Sequence, residues 1–188
     1  MSTLKHEELL QKIFANVNDW LKFAEAKNFG LLSLNAAIVF GFTQTNFQTG
    51  SIIAKAGFYV FSPFAIFSFL CALLSLFPIL SKIEDGASVK SWIINFSNFI
   101  DKETSFVNIH FYGYLKGINE TEFETNYLAS INSTHAFTQF EKDLATQILY
   151  NSRITWLKYQ LFKIGTFIFM IGIIAFIVAL PVFKYLAK

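Results

Sequence analysis

Charge is scarce in this sequence. Only 15% of its 188 residues are charged, whereas soluble domains carry roughly 25%, so the chain lacks the polar surface that full immersion in water requires. The small net charge of +2 argues against a broad electrostatic platform for nucleic acid. Arginine is rarer still, with Arg153 the only one beside 14 lysines. Cysteine occurs once, which excludes an intrachain disulfide, and Cys71 sits in an apolar run as a small packing residue. Three scattered histidines, His6, His110 and His135, lack partners at metal-ligand spacing. Strand-type alternation, glycine-rich phosphate loops and a nucleophile elbow are also missing. Glu120, Glu122 and Glu124 alternate, so on a helix they point to different faces and read as a solvated helix start. No catalytic set emerges, and the expectation is a protein that is not an enzyme and needs no cofactor or metal.

What is abundant is apolar. Over half the residues are hydrophobic, at 54%, and Phe alone occurs 24 times. Lys55 and Lys82 enclose 26 uncharged residues, and Lys163 and Lys184 enclose another 20. At about 1.5 Å rise per residue either run covers a hydrocarbon core of about 30 Å. Pro63 lies early in the first of these, where it removes a backbone donor, and Pro78 near its end helps to stop the helix. A third segment, Phe29 to Phe42, is apolar for only 14 residues and encloses Ser33 and Asn35. A run that short fits a buried or interfacial helix as well as a span. The lack of charge from Lys27 to Lys55 and the small residues Gly30, Ser33, Ala36, Ala37 and Gly41 favour a span. Asn35 is costly in lipid and should face another helix or an aqueous lumen; Ser33 and Asn35 are the candidates for pore-lining or interhelical polar contacts.

The expected fold is all-α: three transmembrane helices, an N-terminal amphipathic helix, and a cytoplasmic helical region between spans two and three. In residue terms this gives an amphipathic helix over 1–27 and spans over 28–45, 57–80 and 163–184, with a helical sensor region over 81–162. Leu9, Leu10, Ile13, Phe14, Val17, Trp20 and Leu21 recur at helical spacing, and the mixed charges opposite them suit helix packing more than lipid binding. The first residues, Met1 to Glu8, are charged, so the first span should act as its own insertion signal. Four lysines precede that span and seven Lys/Arg lie between Ser81 and Phe162, which places the N-terminus and the central region in the cytoplasm. Within the central region, Gly113 and Gly117 punctuate a segment from Ser88 to Lys116. Asn119 with Glu122 resembles a helix cap, and Thr138 with Glu141 opens a helix that runs on into the last span. On that helix Arg153, Trp156 and Lys158 are candidates for binding a phosphate-bearing ligand. The competing reading is an interfacial anchor of Trp, Tyr and Lys.

Four stretches carry a family resemblance: DWLKFAEAKNFGLLSLN from Asp19 to Asn35, the span ending LLSLFPIL, NIHFYGYLKGINETEFETNY, and DLATQILYNSRITWLKYQLFKIGTFIF. In order and spacing they are similar to the bacterial Pycsar-type transmembrane effectors, from about residue 17 onward. The acidic-Ala-Lys position reads Glu25-Ala26-Lys27 here, and Lys158-Tyr159 precede the last span. An arginine common after the proline ending span two is replaced, since Ile79 follows Pro78. The resemblance implies an oligomeric antiphage effector of the bacterial inner membrane. Its signal would be a nucleotide, or as in related Hailong-type systems a short oligonucleotide, made by a neighbouring nucleotidyltransferase or cyclase. The resemblance adds Lys27 to the ligand-binding candidates. Signal binding would open a pore or disrupt the membrane, or, as in the related systems, hold a channel shut until phage removes the signal; the alternative is a non-channel adaptor that scaffolds a cytoplasmic partner. With three spans, a topology reporter fused near Gly50 reads out on the non-cytoplasmic side. A cytoplasmic reading removes the first span.

Overall fold

The computed structural model describes residues 3–49, 51–77, 107–134 and 136–186. The end of the expected second span at Pro78 to Leu80, the segment from Ser88 to residue 106, and His135 lie outside the described residues. Among the described residues every regular element is helical: α1 (Thr3–Thr49), α2 (Ile52–Ala56), a π-helical turn (Gly57–Phe61), α3 (Ser62–Leu76), α4 (Tyr112–Leu115), α5 (Glu120–Ser130) and α6 (Gln139–Leu186). The described residues of 1–27 and those of 28–45 lie in the same helix of 47 residues, Thr3–Thr49. Two segments, Ile52–Leu76 and Gln139–Leu186, are long and apolar enough to cross a membrane; Phe29 to Phe42 forms the later part of α1 and is not a third of that class.

The chain divides into two compact units, one drawn from Met1–Ala24 and Lys102–Tyr159, the other from Glu25–Asp101 and Gln160–Lys188. Helices α1 and α6 each contribute to both.

The first unit is an ordinary apolar core with helix caps at its corners. Leu10, Ile13 and Val17 of α1 are buried with Leu115, Phe123, Tyr127, Phe137, Ile148 and Leu149, which is where the apolar stripe of the N-terminal residues goes. The Asn119 side chain accepts the Glu122 N–H at 2.9 Å and starts α5. At the start of α6 the cap is reciprocal: the Glu141 N–H donates to Thr138 Oγ1 at 3.3 Å, and the Thr138 N–H donates to the Glu141 carboxylate at 2.7 Å. Asn132, at φ 51, makes the left-handed turn between α5 and α6. Gly113 does not break the chain. It lies within α4, where a side chain would collide with the Phe111 ring.

The second unit is inside out. Many of its buried residues are small or polar, including Ala54, Ala56, Ala65, Ala72, Asn28, Asn35, Ser62, Ser68 and Ser75, beside the larger Leu31, Phe61, Leu161, Ile164 and Phe169. Of the exposed large hydrophobics, all but Phe23, Val107 and Phe140 fall in this unit. Within the apolar windows of the two candidate spans only 33% and 11% of residues are buried inside the chain. A surface of Phe, Ile, Leu and Val around an interior rich in Ala, Gly and Ser suits lipid, since helices there associate by close packing. Close approach is visible at two glycines: a Cβ on Gly57 would fall inside the Phe42 ring, and one on Gly172 would lie 2.7 Å from Phe64. The π turn has a local cause. Pro63 cannot donate to the helix and its ring presses on the carbonyl four residues back. The turn before it widens, so that the Ser62 N–H bonds to the Gly57 carbonyl five residues earlier, with the Ser62 hydroxyl adding a bond at 3.3 Å.

Tyr127 ties the first unit together. It is fully buried and its hydroxyl donates to the His6 carbonyl at 3.0 Å. Burial, and secondarily the negative charge of Glu141, push its phenol up to about 12 from 10.0. A proton held more tightly in the folded state stabilises that state fully below pH 10, and the contribution is lost as pH rises through 12. The melting temperature of the purified full chain should therefore fall between these values, and Tyr127→Phe should make that alkaline fall shallower. At neutral pH the same substitution costs about 1 kcal/mol for the lost hydrogen bond.

Candidate ligand-binding site

The single arginine and its neighbours sit on the part of α6 that belongs to the first unit. Arg153 and Trp156 are three residues apart and share a helix face. That face meets the turn following α4. Arg153 Nη2 donates to the Ile118 carbonyl at 3.3 Å, and Lys116 Nζ lies 3.9 Å from the centre of the Trp156 ring. The turn is thus held by a guanidinium and a cation–π contact, and both cations stay near water because Arg153 and Lys116 are only partly buried. Lys158 does not join them. Two residues on from Trp156 it faces another side of the helix and is 5% exposed. Lys27 belongs to the second unit, where its Nζ lies 5.5 Å from the centre of the Phe162 ring. Asn35 and Ser33, also in the second unit, part company: Asn35 is fully buried and Ser33 is exposed.

The larger feature of the first unit lies beside these residues and draws on three elements. Trp20 of α1 approaches Phe111 edge-on at 6.5 Å, Tyr112 at 5.6 Å and Tyr159 at 6.4 Å. Tyr112 and Tyr159 stack at 5.1 Å with 13° between their planes. All four rings are partly exposed, and burial pushes the Tyr159 phenol above its usual range. Amides border the cluster: Asn16 Nδ2 donates to the His110 carbonyl at 2.6 Å, and Asn151 Nδ2 donates to Asn18 Oδ1 at 2.8 Å. Stacked aromatic faces, amides able to read hydrogen-bonding edges, and the cations Lys116 and Arg153 form a set suited to a planar heterocycle carrying an anionic group. The signal for it in the sequence is the density of rings at Phe111, Tyr112 and Tyr114, which points to a site without saying what closes over it.

The acidic residues serve structure. Glu120 accepts from the Thr146 hydroxyl at 2.8 Å and Glu124 from the Phe137 N–H at 2.9 Å. Among the described residues no three His, Cys, Asp or Glu side chains are grouped to hold a metal ion.

The Pycsar effector protein domain matches this chain over residues 9–183. The chain belongs to that family. As a Pycsar effector it is a membrane effector of antiphage defence, and its two long apolar helices place it in a membrane. No curated protein and no solved structure matches it. In this Pycsar effector the turn at Lys116 to Ile118 depends on α6. An exposed cation–π contact contributes about 0.5–1 kcal/mol, so Trp156→Ala should speed amide hydrogen exchange over residues 114–118 about two- to fivefold. Exchange along α5 should be unaltered.

Proposed function

We propose that the chain is an oligomeric, nucleotide-gated effector of the bacterial inner membrane, with its N-terminus and central region in the cytoplasm. A nucleotide or short oligonucleotide, supplied by a neighbouring nucleotidyltransferase or cyclase, binds the first unit and causes the second to form a pore or disrupt the bilayer. The observation that carries this reading is the partly exposed cluster of Trp20, Phe111, Tyr112 and Tyr159, with Lys116 and Arg153 nearby. Rings accept a base, and a guanidinium pairs with phosphate. Trp156 positions Lys116, while buried Lys158 and, in the second unit, Lys27 act on the ligand less directly. The protein performs no catalysis and carries no cofactor; its output is a change of membrane state.

Three features support a membrane-active output over a passive anchor. The later part of α1 is free of charge from Asn28 to Thr49 and buries Asn35 among its neighbours in the second unit, as a third span would. Small residues line that unit's interior and allow tight packing. One unbroken helix, α6, carries both Arg153 and the last apolar segment, so a ligand that prefers one helix arrangement biases the other by its differential affinity.

The test is dye release from liposomes holding the purified full chain, with and without the product of the neighbouring synthase. The product should induce release, and Tyr112→Ala or Trp20→Ala should weaken its binding about tenfold or more, since a stacked base contributes about 1–3 kcal/mol. Release that is absent with and without the product assigns the chain to the adaptor role instead.

A further inference from the structure

The interior of the second unit holds a polar pair where a membrane anchor would place hydrocarbon. Asn35 is 0% exposed, and its Nδ2 donates both to the Leu31 carbonyl at 2.8 Å and to Ser68 Oγ at 2.9 Å. The Leu31 carbonyl can only accept, which fixes the amide's orientation and turns its oxygen away from both partners. Asn35 Oδ1 then has no hydrogen-bond partner among the described residues, nor does Ser75 Oγ, although Ser75 is fully buried as well. The pairing of α1 with α3 is antiparallel and regular. Phe42 meets Phe61 at 5.9 Å, and seven residues along each helix Asn35 meets Ser68. A further seven residues along each helix lie Asn28 and Ser75, both 0% exposed. The polar positions thus form a seam on one heptad face of each helix, closed inside the unit, while the unit's outer surface is apolar.

A buried acceptor left without a partner costs more than the bond beside it returns, so the closed pairing holds the Asn35 carbonyl at a cost. We propose that the Asn35–Ser68 hydrogen bond is an autoinhibitory clasp between α1 and α3. Activation parts the two helices, and Asn35 and Ser68 then line the conducting path, where water satisfies the Asn35 carbonyl. The inference rests on the pore reading given above and specifies its gate.

The two sides of one bond give opposite outcomes. Ser68→Ala leaves the Asn35 amide buried with less to bond to, which penalises the closed arrangement. Asn35→Leu, similar in size, removes donor and orphaned acceptor together and favours the closed arrangement. In liposomes holding the full chain, Ser68→Ala should raise dye release without nucleotide about tenfold. Asn35→Leu should abolish nucleotide-induced release, and both variants should insert and bind nucleotide as the parent does. In detergent the melting temperature should fall for Ser68→Ala and hold or rise for Asn35→Leu. Melting temperatures that fall alike in the two variants, or release that shifts in the same direction, overturn the clasp and leave a plain interhelical link. If the parent chain passes no dye even with nucleotide bound, the pore reading and the lining role fall together. The melting temperatures alone then decide whether Asn35 is held at a cost.

Discussion

Backbone amides in hydrocarbon must be bonded within their own segment, because lipid offers them nothing. Most of this structure follows from that requirement. It explains why the apolar segments are helices without exception among the described residues, and why the one departure from α-geometry, at Gly57 to Phe61, is a helical turn of wider pitch and not a loop. It also explains the length of α1 and α6, at 47 and 48 residues. A helix that stopped at the edge of the bilayer would leave four carbonyls or four amides to satisfy there; running on into the first unit removes the need. The same helices therefore bury Leu10, Ile13 and Ile148 in one unit and Asn35, Gly165 and Gly172 in the other.

Much of this was legible from the residues. Uncharged runs mark the two long apolar helices with no other information, because the absence of Lys, Asp and Glu over 20 residues has few explanations besides lipid. The caps were equally readable. Asn119 with Glu122, and Thr138 with Glu141, are short-range patterns, and short-range patterns need no knowledge of the fold. The amphipathic residues before position 28 and the apolar ones after it share one helix, since a change of character alters what a helix faces without ending it.

The candidate site was harder to read for the opposite reason. Trp20 reaches Tyr112 and Tyr159 from 92 and 139 positions away, and no local periodicity encodes such a meeting. Lys158 lies five residues after Arg153, so the sequence alone says that the two do not share a helix face cleanly; that Lys158 is buried is what the fold adds. Ser33 and Asn35 divide by the same rule, two residues being about 200° of rotation on an α-helix. What sequence reasoning supplied was chemistry, namely a lone arginine beside an indole. What the fold supplied was the partner of each: Ile118 for the guanidinium and Lys116 for the indole.

The wide turn before Pro63 has a consequence for how this protein tolerates change in length. A π-helical turn accommodates one residue more than an α-helical path would use, so it is equivalent to an inserted residue retained in the helix. Removing one residue from 57–61 would restore ordinary pitch and leave the helix on either side facing nearly as before, because four α-helical residues turn the chain about as far as five π-helical ones. A deletion within the regular part of α3 finds no such slack and rotates the stretch beyond it by about 100°. Loss of a single residue should therefore be tolerated at this turn more readily than in the regular helix that follows it.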